Sequence, residues 1–450
     1  MRPTRRQVLR SGVLLGAAAA LPLRTRAQPL RNRVQAPASD RVRVAVMGVR
    51  SRGLHLAREF ARAPGCEVVA VCDVDSRYLE PAVAAVEMAG GRRPRTERDV
   101  RRLLEDREVD ALVVAAPDHW HAPVTLLSAS EGKHVYLEKP SSHNPREGEL
   151  LIEAERRHPG VVLHMGNQRR SWQNVIGCID RLRAGVIGRV YFAKGWYTNA
   201  RESIGAGKEA PVPEHLDWEL WQGPAPRRPY RDNVHPYEWH WFRHWGTGEA
   251  LNNGTHEIDV MRWGLGVDYP LRVVAAGGRY HHADDWEFPD TMVLAFDFEG
   301  GSTITWESRS CNSHPVEGWD RGVMFHGEHG TVLQVHNGWV AWANDRERTV
   351  IERAGSVERG GVDATNTASP DASLDGLHVR SFLDAVRGRR RTPSPMVEAH
   401  KSVLLCQLGN IAWFTGRALQ IDPRDGRIRD DPEAMSWWGR EYEPGWEPAV

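Results

Sequence analysis

Lysine is nearly missing from this chain: 5 of its 59 basic residues are Lys and the rest are Arg. A solvated surface charge accepts either cation, whereas a tight site that uses a compact ammonium does not accept a planar guanidinium. One of the five persists in His134-Val-Tyr-Leu-Glu138-Lys139-Pro140, which marks Lys139 as a candidate for chemistry. Cysteine is sparse as well. The five, at 66, 72, 178, 311 and 406, are odd in number and lack C-x-x-C spacing, which argues against a disulfide framework or a zinc module and for buried small hydrophobes. No apolar run reaches the length that spans a bilayer. There is no G-x-S-x-G elbow, and a formal net charge of zero gives no basic footprint for nucleic acid.

What is present begins with an address. Thr4-Arg5-Arg6-Gln7-Val8-Leu9-Arg10, a short apolar stretch over 13–23 and Thr25-Arg26-Ala27 read as a twin-arginine signal over 1–27 with a small-x-Ala cleavage site. The expected mature chain starts at Gln28, carries a formal charge of about −6 once the six signal arginines are removed, and works in the periplasm or another extracytoplasmic space without a membrane anchor. This route exports proteins already folded, which suits a cofactor enclosed in the cytoplasm.

Residues 28–40, rich in Pro, Ala, Gln and Ser, read as a linker or arm. From 41 to 165 strand and helix patterns alternate. Strands are expected at 42–47, 67–72, 109–116 and 135–137, with helices near 54–62, 80–90, 97–106 and 121–131, a parallel βαβ arrangement. From 166 to 450 the pattern changes to successive strands at 189–197, 271–280, 290–297, 302–308, 321–326 and 331–335, as in an antiparallel sheet, and closes with helical stretches at 373–386 and 397–416. The stretch 353–373 reads as a Gly/Ser/Thr/Asp loop. The expected class is α/β: an N-terminal doubly wound parallel sheet of the Rossmann type and a C-terminal α+β unit with a large, mostly antiparallel sheet.

The first strand runs into Gly48-Val49-Arg50-Ser51-Arg52-Gly53 and then a helix, a G-x-G-x-x-G pattern with Arg50 at the middle glycine. Gly48 permits the tight turn, Gly53 permits close helix packing, and the N–H groups around Arg50, Ser51 and Arg52 face a pyrophosphate. Asp73 ends the second strand, where a carboxylate accepts from both hydroxyls of an adenosine ribose and repels a 2′-phosphate. NAD is favoured over NADP, which the nearby Arg77 leaves open. The fourth strand ends in Ala115-Ala116-Pro117-Asp118-His119-Trp120-His121, on the rim where such sheets bind ligands, and Glu138 and Lys139 end the next strand on the same rim. Pro117, His121, Glu138 and Lys139 therefore join the candidate cofactor contacts.

On the Gly48–Gly53 turn, the Pro117–His121 loop and above all Glu138-Lys139-Pro140, the chain resembles the glucose-fructose oxidoreductase, inositol dehydrogenase and MocA family. The resemblance extends through Leu216-Asp-Trp218-Glu-Leu-Trp221-Gln-Gly223 and through Asn252-Asn-Gly254-Thr-His256-Glu-Ile-Asp259. It implies Lys139 and His256 grouped around a sugar carbon and the nicotinamide. The family's second motif usually reads Asp-x-Gly-x-His; here position 252 is Asn. The resemblance also implies a broad second sheet suited to a homodimer or homotetramer.

The chemistry follows from the side chains. Oxidation of a secondary alcohol needs a base for the hydroxyl proton, and His256 is the type best poised near neutral pH. A helix beginning near Asn252 puts Asn252 and His256 on one face; Asn252 orients but takes no proton. Lys139 donates to the reacting oxygen or to the nicotinamide carboxamide. Gln168 and Arg169 at the entry to the second unit, Trp218 among the 18 tryptophans, and Asp259 are the candidate substrate contacts. His235, His240 and His244 lack a convincing zinc constellation, and no metal is expected. The expected activity is hydride transfer between a tightly bound nicotinamide cofactor and a sugar, cyclitol or sugar derivative. Two alternatives stay open: an NAD-dependent glycosidase working by transient oxidation and elimination, and a non-catalytic sugar- or nucleotide-binding protein.

Overall fold

The computed structural model describes residues 40–357 and 374–450. The expected signal, all of the arm except Asp40, and most of the 353–373 loop lie outside the described residues. Six strands, β1 (Val42–Met47), β2 (Cys66–Cys72), β3 (Arg95–Glu97), β4 (Ala111–Val114), β5 (His134–Leu137) and β6 (Leu163–Met165), form one sheet in the order β3-β2-β1-β4-β5-β6. Every neighbouring pair is parallel. The central strands β1 and β4 read as near-continuous Val, Ala, Leu and Met because helices cover both faces. Leu56, Ala57 and Phe60 of the helix Ser51–Arg62 pack with Val42, Val44 and Val46 on one face, and Val379, Phe382 and Leu383 of the helix Asp375–Val386 return to the same core.

Nine further strands form the second sheet: β7 (Val190–Thr198), β8 (Arg272–Gly278), β9 (Thr291–Phe298), β10 (Ser302–Arg309), β11 (Arg321–Gly327), β12 (Gly330–Val335), β13 (Gly338–Ala343), β14 (Val350–Ala354) and β15 (Leu419–Gln420). Their order is β14-β13-β12-β11-β7-β10-β9-β8-β15. All pairs are antiparallel except β7 with β10. β9 alternates buried Met292, Leu294, Phe296 and Phe298 with more exposed partners, the period-2 pattern of a sheet with one covered face. The helices Gly254–Leu265 and Met396–Thr415 supply that cover, with buried Ile258, Val260 and Met261 from the first and Val403, Leu404 and Leu408 from the second in one core. No helix among the described residues is long and apolar enough to cross a membrane.

Several expected elements differ. The helix expected over 97–106 gives way to β3 followed by a short helix, Val100–Leu104, whose Asp99 side chain caps its start by accepting from Arg101 N. β6 and the last three strands of the second sheet were not expected. All five cysteines are free; Cys72, Cys178 and Cys406 are buried, but Cys66 and Cys311 are only half-buried.

Two glycines set the opening turn. Gly48 has φ +77°, and a Cβ there would lie 2.6 Å from the Ala115 carbonyl oxygen. A Cβ on Gly53 would lie 1.7 Å from the Gly48 carbonyl oxygen, so the helix could not dock against the turn. Gly53→Ala is expected to lower stability by about 3 kcal/mol, the upper range for overpacking, read as a fall in thermal midpoint, whereas Gly160→Ala, where a Cβ meets nothing within 4 Å, serves as a glycine control distant from this contact.

Candidate functional site

The carboxyl ends of β1, β2, β4 and β5 open into a cavity of about 270 Å³. Thirteen of the candidate residues line it: Gly48, Arg50, Ser51, Arg52, Asp73, Pro117, His121, Glu138, Lys139, Gln168, Arg169, Asn252 and His256. At one end the helix Ser51–Arg62 begins with no side-chain cap and no acid in its first turn, leaving its N–H groups and positive dipole end for an anion. Ser51 sits at φ 43°, a left-handed conformation that turns the chain into the helix. Arg50 lies 6.0 Å from the Tyr78 ring centroid and 5.7 Å from that of Tyr237, lending its middle position a cation–π clamp where a glycine would offer none. Asp73 accepts from Val49 N at 2.8 Å and Asp75 N at 2.9 Å. Burial nevertheless pushes its carboxyl up to about 6, against the pull of those two N–H groups. Open helix N–H groups beside a strand-terminal carboxylate fit a dinucleotide's pyrophosphate and ribose.

Arg52 points its guanidinium elsewhere. Its Nε donates to Glu138 Oε1 at 2.7 Å and its Nη1 pairs with buried Asp375. Its side chain thus ties the glycine-turn helix to the Glu138-Lys139 strand end. His121 braces backbone: Nδ1 lies 2.6 Å from the Pro140 carbonyl and Nε2 2.8 Å from that of Ala116. Pro117 is the residue preceding the helix Asp118–Ser130 and leads Asp118 into a bond from Thr247 Oγ1 at 2.5 Å.

At the other end Lys139 Nζ donates to the Asn252 main-chain carbonyl at 2.5 Å and to Asn252 Oδ1 at 3.0 Å. An ammonium has three donors, so one remains for the cavity. Burial draws the Lys139 ammonium below the ordinary lysine range, and nearby Glu138, Asp118 and Glu249 oppose that. Burial, followed by the charges of Lys139, Arg169, Arg321 and Arg52, holds the His256 imidazolium far below its usual range, so the ring is a neutral proton acceptor near pH 7. Asn252 and His256 do not share one helix. The helix Gly248–Asn252 stops at Asn253 (φ −116°), whose amide turns back to Glu249, and Gly254–Leu265 begins afresh. The break, not a common helical face, brings both side chains to the cavity.

Three expected residues do not line it. Gly53 acts through packing, as its place in the turn implies. Trp218 stacks on Trp221 with centroids 4.6 Å apart at 12°, and its Nε1 donates to the Arg228 carbonyl; an indole amid aromatics is buried there as core. Asp259 is taken by Arg170, whose Nε and Nη2 reach it at 2.8 Å, and by Ser402 and Asn167. The neighbouring Arg169 donates to Glu257 at 2.9 Å, so these adjacent pairs pin the turn after β6 to the helix Gly254–Leu265. Gln168 Nε2 reaches Glu138 Oε1 at 3.4 Å.

Among the lining residues beyond those expected, one group comes from a single segment. Trp221, His235, Pro236, Tyr237, Trp239 and His240 line the cavity, and the tryptophan-rich run over 218–245 was their one visible signal. Its histidines make separate contacts: His235 Nε2 with Asp75 at 2.9 Å, His240 Nδ1 with the Tyr237 carbonyl at 2.6 Å, and His244 Nε2 with the Pro226 carbonyl at 2.7 Å. Arg321 and His336 reach in from the second sheet with no motif to announce them. Among the described residues one group has metal-type ligand spacing, His281, His282 and Cys311, and none of the three lines the cavity.

The sheet order and the turn opening onto its rim define a dinucleotide-binding α/β protein. Residues 42–166 match the model of the oxidoreductase family with an NAD-binding Rossmann fold, and residues 221–333 match the GFO/IDH/MocA C-terminal domain; the two cover more than half the chain. The chain belongs to the glucose-fructose oxidoreductase, inositol dehydrogenase and MocA family. It is 29% identical over 303 residues to an inositol 2-dehydrogenase of Rubrobacter xylanophilus, covering 65% of this chain and 71% of that one. It is 31% identical over 191 residues to a glycosyl hydrolase family 109 protein of Saccharopolyspora erythraea, covering 42% of this chain and 41% of that protein; the match spans about two fifths of that relative's length. The WlbA dehydrogenase of Bordetella pertussis, solved with NADH and UDP-GlcNAcA, superposes with a TM-score of 0.62 at 20% identity over 85% of this chain and 99% of that one, a likeness of fold.

Two outcomes follow. Asp259→Asn leaves buried Arg170 with only the more distant Glu398, 3.7 Å away, as counter-charge, and is expected to cost about 3 kcal/mol, seen in thermal melts, while nucleotide affinity of the folded protein stays unchanged. Asp73 accepts from a ribose best when ionised, so NAD affinity measured by calorimetry is expected to weaken as pH falls through about 6.

Proposed function

We propose that the chain is an exported oxidoreductase that holds NAD in this cavity and acts on a secondary alcohol carbon of a sugar, cyclitol or sugar derivative. The observation that carries this reading is the meeting of Lys139, Asn252 and His256 in the same cavity as the glycine turn and Asp73. Arg50, Ser51 and the open helix start would hold the pyrophosphate and Asp73 the ribose; NAD bound there supplies the hydride acceptor. Arg77 supports NAD over NADP because Asp75 already holds its guanidinium, with Nη2 to Oδ2 at 2.6 Å and Nε to Oδ1 at 3.0 Å. His256, neutral near pH 7, takes the hydroxyl proton on a ring nitrogen. The remaining Lys139 N–H donates to the alcohol oxygen and steadies its developing charge. The aromatic run over 221–240 limits water around the reacting carbon.

Export by the twin-arginine route rests on Arg5, Arg6 and the apolar stretch after them, and agrees with a cofactor enclosed before export. Self-association as a dimer or tetramer is supported by the second sheet's open face, where Tyr191 and Val293 are exposed. A second reading, glycoside cleavage through transient oxidation and elimination, is favoured by the relatives named as glycosyl hydrolase family 109 proteins. Release of a free sugar from an aryl glycoside without build-up of reduced nucleotide would select it; build-up of reduced nucleotide with an intact sugar skeleton selects the dehydrogenase.

Lys139→Ala is expected to lower kcat by about 100-fold or more, the scale of losing one oxyanion donor, with little change in nucleotide affinity. His256→Ala is expected to lower kcat about 100-fold or more as a lost general base. With the imidazole held so far down, the acidic limb of the kcat/KM profile lies below the ordinary histidine range. Near-full turnover of a folded His256→Ala protein would remove it as the base.

A further inference from the structure

We propose that Glu249 is a positioning residue for Lys139 and acts through the Asn252 carboxamide. The inference rests on the reading of Lys139 given under Proposed function. Glu249 is buried and carries a dense set of donors: Arg201 Nε to Oε2 at 2.7 Å, Ser310 Oγ to Oε2 at 3.0 Å, and both Asn253 Nδ2 and Asn252 Nδ2 to Oε1, the latter at 3.4 Å. Arg201 is itself fixed, against Tyr237 Oη at 3.2 Å and over the Trp241 ring at 4.7 Å. Burial opposes the charge on Glu249, but Arg201 holds its carboxyl below the usual range. It is therefore an ionised acceptor.

The direction of the Asn252 amide then follows from valence. Lys139 can only donate and the Glu249 carboxylate can only accept, so Asn252 turns its oxygen to Lys139 and its NH₂ to Glu249. Two of the three ammonium protons are engaged by Asn252, and the third is left toward the cavity. Arg201, Glu249, Asn252 and Lys139 form one line from the second sheet to the reacting position. A carboxylate at 252 would break that line, because it cannot donate to Glu249 and would lie beside it with the same charge. Charge at 249 and amide at 252 are thus exchangeable only together.

The charged and titratable groups facing Lys139 are Glu138 on its own strand end, Asp118 on the helix that follows β4, Glu249 and Arg52, with His240 and His256 across the cavity. Removing the Glu249 charge withdraws one support for the ammonium, so the Lys139 midpoint falls. Adding a carboxylate at 252 raises it.

The test compares the full mature chain with Glu249→Gln, Asn252→Asp and the double exchange Glu249→Gln/Asn252→Asp. Competitive acylation across pH, read by peptide mass spectrometry, follows the Lys139 amine directly, and with 5 lysines in the chain its peptide is readily separated. The expected result is a lower Lys139 midpoint in Glu249→Gln, a higher one in Asn252→Asp, and a return toward the parent in the double exchange. Turnover of sugar is expected to show kcat down roughly 10- to 100-fold in each single variant, the scale of a misplaced catalytic group, with KM little changed and partial recovery in the double. Folding of each is checked by near-ultraviolet dichroism; the two singles shift in opposite directions, so either one that folds decides the matter. An unmoved midpoint in a folded single variant, or no recovery in the double, overturns the proposal. The labelling arm needs no turnover, so a parent that oxidises no sugar counts against the proposed function while the midpoints still judge Glu249.

Discussion

The contact on which the site depends is the hydrogen-bonded meeting of Lys139 and Asn252. Lys139 follows the fifth strand of the parallel sheet, two residues past its end, and Asn252 ends a short helix belonging to the second layer. Neither layer alone holds a cavity with both a nucleotide-binding turn and a proton acceptor. The meeting is reinforced next to it by two buried ion pairs, Arg169 with Glu257 and Arg170 with Asp259. Pairs of this kind add little net stability over apolar packing but are costly to break. They fix one relative placement of the turn after β6 and the helix that carries His256.

Enclosure then does the electrostatic work. Aromatic residues of the 221–240 segment line the cavity, and desolvation is the leading cause of the downward shift in both Lys139 and His256. For a histidine this yields a neutral base. For a lysine the neighbouring carboxylates Glu138, Asp118 and Glu249 offset part of the effect, so the same burial leaves a cation that still donates. Two half-buried groups lining one cavity are pushed toward different protonation states by their surroundings, a pattern common where acid and base act on one substrate.

Much of this was readable from the chain. The glycine turn, Asp73 and Glu138-Lys139-Pro140 have fixed spacing because a dinucleotide has a fixed shape, and the family resemblance carried His256 into the same reading. The central strands were readable because they are apolar on both faces. β3 was not: Arg-Thr-Glu is a three-residue edge strand with half its surroundings in solvent, and its residues carry no strand pattern. Trp218 was misread because spacing cannot tell an indole stacked on another indole from one facing a sugar. Asp259 was misread because its partner, Arg170, lies 89 residues earlier. Glu249 had no signal at all, since its meaning comes from Arg201 and Asn252 arriving beside it in the fold.

The most direct measurement is the content of the cavity itself. The full chain, expressed and purified in folded form without added nucleotide, is denatured, and any released small molecule is identified by mass spectrometry. NAD or NADH in near-stoichiometric amount is the expected result. A folded protein that releases no nucleotide and binds none when NAD is added would contradict a nucleotide-binding role for this cavity.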